Sequence, residues 1–222
     1  METGKEEKIT IPSGPLSLEG LLGRGEGDRG MVISHPHPLY GGEMRNQVVG
    51  IIQEVMAGKG WTTLRFNFRG VGRSQGEYGE GVGEQEDVRA AVRYLKESGI
   101  KEIVLAGYSF GGWVNAQVAL DHPDVAGSIL VAPPQAMMDF SFLKDDSKTR
   151  LVFAGERDAY GPVEEILKIV VKMNPLPPVI VIPGADHFFG GSTAELARAL
   201  GGPAFVCGKK IFSEFFRLGD KE

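Results

Sequence analysis

The stretch that decides the fold is Ile103-Val104-Leu105-Ala106-Gly107-Tyr108-Ser109-Phe110-Gly111-Gly112-Trp113. Its centre fits the pattern G-x-S-x-G. The apolar run 103–106 reads as a buried strand, and the run from Trp113 to Leu120 is compatible with a helix. A serine between the two stands on a sharp turn in a strained backbone conformation. Glycine is needed at 107 and 111 because a Cβ at either position would strike a neighbouring element. The helix start also brings N–H groups and the positive end of its dipole beside the serine. With 32 glycines a five-residue match can arise by chance. Chance does not usually set it between a strand and a helix near mid-chain.

Outward from this turn, strand and helix patterns alternate. Upstream, Lys8 to Ile11 and Leu16 to Leu22 read as short strands around the turn Pro12-Ser13-Gly14-Pro15, an opening antiparallel hairpin. Met31 to Ser34 is a buried strand, Arg45 to Lys59 a helix (Val48, Ile51, Ile52, Val55 and Met56 on one face), and Trp61 to Phe68 a strand. A loop from Arg69 to Gly83 leads to an amphipathic helix, Glu84 to Ser98. Downstream, Val125 to Ala132, Arg150 to Ala154 and Pro178 to Ile182 read as strands, and Val163 to Met173 as a helix. Ser192 to Leu200 and Ala204 to Leu218 read as closing helices. The alternation argues for an α/β fold, a mostly parallel sheet with helices on both faces. No repeat or linker interrupts it, so residues 1–222 are expected to form a single domain.

A chain of 222 residues can bury a sizeable core. Its 24% charged and 42% hydrophobic residues are ordinary globular values. A net charge of −5 without a basic cluster argues against nucleic acid as a partner. Cys207 is the single cysteine, so no internal disulfide can form; this fits a reducing compartment, with Cys207 as a core residue beside Ala204 to Val206. Met1 to Glu7 is polar and lacks a signal-peptide core, and no run is apolar enough to cross a membrane. The expectation is a soluble cytoplasmic protein without a membrane partner.

A serine hydroxyl is a weak nucleophile until a base takes its proton, and the base needs an orienting acid. On a strand–turn–helix of this kind the chain order is serine, acid, histidine. Two histidines follow Ser109. His122 sits at the end of the elbow helix, where the helix dipole favours it, and reads as structural. His187, in Gly184-Ala185-Asp186-His187-Phe188-Phe189, follows the last strand and is the expected base. The acid belongs on the loop Gly155-Glu156-Arg157-Asp158-Ala159-Tyr160, with Asp158 preferred and Glu156 in reserve. Asp186 adjoins His187, and neighbouring side chains of an extended segment point apart.

An oxyanion intermediate needs N–H donors aimed at it. Phe110, directly after the serine, supplies one. The other should come from His35-Pro36-His37-Pro38-Leu39-Tyr40-Gly41-Gly42, where the prolines have no N–H. His37, Leu39 and Tyr40 remain open. His35 and His37 could instead face one side as a metal pair, but only Glu43 lies nearby to complete such a site.

Gly107 to Gly112, Asp158 and His187 together resemble the α/β-hydrolase superfamily. His35 to Gly42 and Arg65-Phe66-Asn67-Phe68-Arg69-Gly70-Val71-Gly72-Arg73-Ser74 resemble a compact, lidless branch of small serine esterases related to dienelactone hydrolases. Many superfamily members carry aspartate where Asn67 stands; the loop reads as structural, with Arg69 pinning its neighbours. The resemblance covers nearly the whole chain and implies cleavage of small carboxylic esters through an acyl-enzyme, without cofactor. A thioesterase, an amidase or peptidase, or an acyltransferase would share the machinery, and a non-catalytic binding protein could share the fold. The usual slot for a lid, Pro133 to Lys148, is too short for a helical cap, which predicts an open site for short acyl chains. Met137, Met138, Phe140, Phe142 and Leu143 there either line an acyl pocket or pack beneath the loop. Phe205, Phe212, Phe215 and Phe216 pack in the core or support a homodimer in place of a monomer.

Overall fold

The computed structural model describes residues 6–202. The chain opens with the expected hairpin, β1 (Glu7–Ser13) and β2 (Leu16–Gly23), paired antiparallel with Ser13 opposite Leu16. There follow β3 (Arg29–Ser34), α1 (Gln47–Gly58), β4 (Thr62–Phe66), α2 (Val82–Glu97), β5 (Glu102–Tyr108) and α3 (Phe110–Asp121). The second half adds β6 (Val125–Val131), β7 (Thr149–Gly155), α4 (Val163–Val170), β8 (Val179–Ile182) and α5 (Thr193–Gly201). The expected helix 204–218, with its phenylalanines and Cys207, lies outside the described residues.

The eight strands form one sheet in the order β1-β2-β4-β3-β5-β6-β7-β8. β1 and β2 run antiparallel, as do β2 and β4, and every later pairing is parallel. The chain winds outward from β3 to β4, then returns to the other side of β3 with β5. Strand direction of travel therefore reverses between β3 and β5, and a crevice opens at their carboxyl ends.

Alternate residues of the strands face opposite layers. Val32, Leu64 and Leu105 meet Val88, Val92 and Leu95 of α2 and Val114 and Val118 of α3. Met31, Ile33, Val104 and Ala106 meet Val48, Val49, Ile52 and Met56 of α1, with Leu196 and Leu200 of α5 on the same side. Under β6 and β7, Leu130 and Val152 meet Ile166 and Val170 of α4.

Several boundaries differ from the sequence pattern for local reasons. α1 begins at Gln47 because Asn46 caps it, its Oδ1 accepting from Val48 N–H at 2.9 Å. α2 begins at Val82, two residues before Glu84. The Glu84 carboxylate turns back to accept from Gly79 and Gly81 N–H at 2.8 and 2.7 Å, which places it inside the first turn. β4 ends at Phe66; Asn67 N–H still reaches the Glu19 carbonyl of β2 at 2.9 Å, but Phe68 N–H turns away to His35 Nε2 at 3.0 Å. Among the described residues no helix is long and apolar enough to cross a membrane.

Candidate active site

β5 delivers the chain to Ser109, and α3 takes it away. Ser109 has φ 54 and ψ −121, a left-handed conformation that costs a non-glycine residue about 1–3 kcal/mol. The surroundings hold it there. Its N–H donates to the Val131 carbonyl at 2.9 Å, and its own carbonyl accepts from Gly112 and Trp113 N–H at 2.9 and 3.2 Å. A Cβ on Gly107 would lie 2.4 Å from the Gly111 carbonyl, and one on Gly111 would lie 2.5 Å from the Ser34 carbonyl oxygen. The two glycines are thus a packing requirement between α3, β5 and the end of β3.

His187 stands on the loop after β8, and Asp158 on the loop after β7. The Ser109 hydroxyl lies 3.0 Å from His187 Nε2, and His187 Nδ1 lies 2.8 Å from Asp158 Oδ2. As a carboxylate Asp158 only accepts, so Nδ1–H donates to it and Nε2 is left as the acceptor for the serine proton. Asp158 Oδ1 is separately occupied by the N–H groups of Tyr160 and Gly161, both at 2.8 Å. The His187 carbonyl accepts from the Tyr108 hydroxyl at 3.0 Å, and burial pushes that phenol up to beyond the usual range. Asp158, His187 and Ser109 are all buried, with Ser109 7% exposed.

The loop after β3 packs against the start of α3, with the His37 and Phe110 rings 4.7 Å apart. Tyr40 N–H donates to the His37 carbonyl at 3.1 Å, and Leu39 N–H to His37 Nδ1 at 3.2 Å. Both are committed to the turn Pro38–Tyr40. No acceptor among the described residues takes the N–H of His37 or of Phe110. Of the three open positions in this loop, His37 therefore has the available backbone donor. Its ring is occupied: with Nδ1 accepting, Nε2–H donates to the Tyr78 hydroxyl at 3.2 Å. His35 is buried and likewise occupied. Nε2 accepts from Phe68 N–H, so Nδ1–H donates to the Pro36 carbonyl at 2.7 Å. Burial lowers the pKa of both, that of His35 to about 4. Each ring is thus a hydrogen-bonded brace between loops.

The remaining candidates fall elsewhere. Glu156 accepts from Gly184 N–H at 2.6 Å, tying the acid loop to the turn after β8. Asp186 Oδ1 accepts from Phe188 and Gly190 N–H at 3.0 and 3.2 Å, which shapes the base loop. His122 ends α3, but burial lowers its pKa, and Nδ1 accepts from Asp124 N–H at 3.3 Å; it acts as a neutral cap of the turn and not as a charge on the dipole. Arg69 braces a helix as well as loops: its N–H, Nε and Nη2 all donate to the fully buried Asp87 of α2, at 2.9, 3.1 and 2.8 Å. Asn67 donates to Glu19 Oε2 at 3.0 Å and accepts from Met44 N–H at 2.8 Å. Of the two alternatives for the 133–148 stretch, Phe140 and Leu143 take the second and pack against α4; Met137 alone of that group is well exposed.

Sequence reading missed the exposed rings around His187. Tyr160 and Phe188 lie 4.8 and 5.4 Å from the His187 ring, centroid to centroid. Their only sequence signal is adjacency to the acid and base motifs.

A family model described as the alpha/beta hydrolase fold matches residues 40–188. An alpha-beta serine hydrolase homologue from Coxiella burnetii is 38% identical, with TM-score 0.77 over 88% of this chain and 95% of that one. A candidate alpha/beta hydrolase of unknown function from Agrobacterium tumefaciens is 34% identical, with TM-score 0.80 over 89% and 93%. A serine hydrolase without lid from Xanthomonas campestris is 29% identical, with TM-score 0.80 over 88% and 92%.

Proposed function

The chain belongs to the alpha/beta hydrolase family, and from that premise we propose that it is a serine carboxylesterase acting on small esters through an acyl-enzyme. One observation carries the reading. Asp158, His187 and Ser109 are joined by contacts of 2.8 and 3.0 Å, on a serine held at φ 54.

Ser109 Oγ attacks the ester carbonyl while His187 Nε2 takes its proton. Nδ1–H stays on the Asp158 side, which orients the ring and stabilises the imidazolium. The oxyanion of the tetrahedral intermediate meets the N–H groups of Phe110 and His37, at the positive end of α3. Collapse expels the alkoxide, to which His187 returns the proton, leaving acyl-Ser109 and free alcohol. Water then repeats the two steps and releases the carboxylic acid. The route uses no cofactor.

Two features support small substrates. Between β6 and β7 the main-chain structure is limited to a short 3-10 turn, Ser141–Asp145, which is no cap. The similar protein from Xanthomonas campestris is likewise described as lacking a lid.

The test is a panel of p-nitrophenyl esters, matched thioesters and anilides, run on the wild type and on Ser109→Ala. Ester cleavage should dominate, and the substitution should lower turnover on the order of a millionfold. An organophosphate should label Ser109 and abolish the same activity. Faster cleavage of thioesters or anilides would reassign the substrate class, and labelling without any turnover would favour a binding protein.

A further inference from the structure

Resting on the esterase reading, we propose that Tyr160 and Phe188 form the subsite for the leaving alcohol and select a flat aromatic one. The side on which they stand follows from the chemistry. His187 must hand its proton to the departing oxygen, so the alcohol has to leave past the His187 ring. Three rings flank that imidazole; Tyr108 is buried beneath it, and Tyr160 and Phe188, 40% and 61% exposed, are the two that a substrate can reach. The acyl carbonyl is met instead by Ser109 and the donors of Phe110 and His37.

The His187, Tyr160 and Phe188 rings make an open aromatic corner. Tyr160 lies 4.8 Å from His187 at 50°, Phe188 lies 5.4 Å from it at 87°, and the two meet at 6.1 Å and 73°. Such a corner presents ring faces and ring edges together, negative and positive parts of the quadrupole, which complement another aromatic ring and not a saturated one. It is also preorganised. Tyr160 N–H is held by Asp158 Oδ1, the Tyr160 carbonyl accepts from Ala136 N–H at 2.9 Å, and Phe188 N–H is held by Asp186. Phe189, the next residue, points inward and is fully buried, so the exposure of Phe188 is not a feature of the whole loop.

The experiment compares benzyl acetate with cyclohexylmethyl acetate, alike in acyl group and close in size and leaving-group reactivity. All acetates give the same acyl-enzyme, so kcat/KM reports the step in which the alcohol is still bound. Wild type should favour the benzyl ester, and Tyr160→Leu and Phe188→Leu should each reduce that preference by about fivefold, chiefly through KM. Tyr160→Phe, which keeps the ring, should retain it. Ethyl phenylacetate, with its ring on the acyl side, should lose less than benzyl acetate in both leucine variants. Equal loss on all esters, or a wild type indifferent to the two acetates, overturns the subsite while leaving the esterase reading intact. Absence of Ser109-dependent cleavage of every ester removes both.

Discussion

The two oxygens of Asp158 are used separately, Oδ1 by the N–H groups of Tyr160 and Gly161 and Oδ2 by His187. In Asp158→Asn the amide oxygen still suits the two N–H groups, which turns the NH2 toward His187. Nδ1 must then accept, the ring proton moves to Nε2, and the base can no longer receive the serine proton. A loss of about 10⁴ in kcat, with an unchanged circular dichroism spectrum, is the expected outcome. His35 gives a second prediction at this scale. Its folded pKa is depressed to about 4 by burial, below the value of an unfolded histidine. Stability is therefore fully present above about pH 6.5, and is lost as pH falls toward about 4, because only the unfolded chain takes up the proton; the loss approaches about 3 kcal/mol. Urea unfolding at about pH 7.5 and about pH 4.5 should show this slope in wild type and a shallower one in His35→Gln. That Ser109, Asp158 and His187 would meet was legible because the fold fixes their order along the chain. The role of His35 was not, since its partner Phe68 N–H is remote in sequence and leaves no local mark.

Where elements meet, the backbone carries the argument. Gly111 opens α3 directly against the carbonyls of Ser34 and His35, 2.5 and 2.6 Å from where a Cβ would stand. Those atoms belong to the backbone of the central strand and its loop and cannot rotate aside. Gly111→Ala should cost more than about 3 kcal/mol, read as a shift in the denaturant midpoint, with activity lost alongside. The same position shows what a sequence discloses about elements. The need for glycine was legible from the turn alone, but the surface it spares, the end of β3, was not. Likewise the onset of α2 was displaced by two residues, because a glutamate can serve as the third residue of a capping box as well as the first of a helix. Strand and helix periods reveal the elements, while their ends are set by side-chain partners that periodicity does not encode.

At the scale of the molecule, alternation along the chain made the parallel sheet legible, and the antiparallel opening pair as well. The exchange of β3 and β4 in the strand order was not legible, because it depends on pairings between distant segments. With no cap between β6 and β7, the proposed esterase should work on dissolved ester without an interface to open it. Rates across an acyl series from acetate to laurate should fall at the long end, and should saturate smoothly through the solubility limit of each ester; a jump at that limit would contradict the open site. One further property follows from the position of β8 at the sheet edge, beside β7. In the proposed mechanism the base, His187 on the loop after β8, is the last of the five groups to be synthesised, after His37, Ser109, Phe110 and Asp158. On that reading a growing chain stays inert while most of its described sheet is already made, and turnover waits for β8 to dock. Turnover on refolding should therefore report the docking of β8 onto β7, and should not precede signals from the strands that hold Ser109 and Asp158.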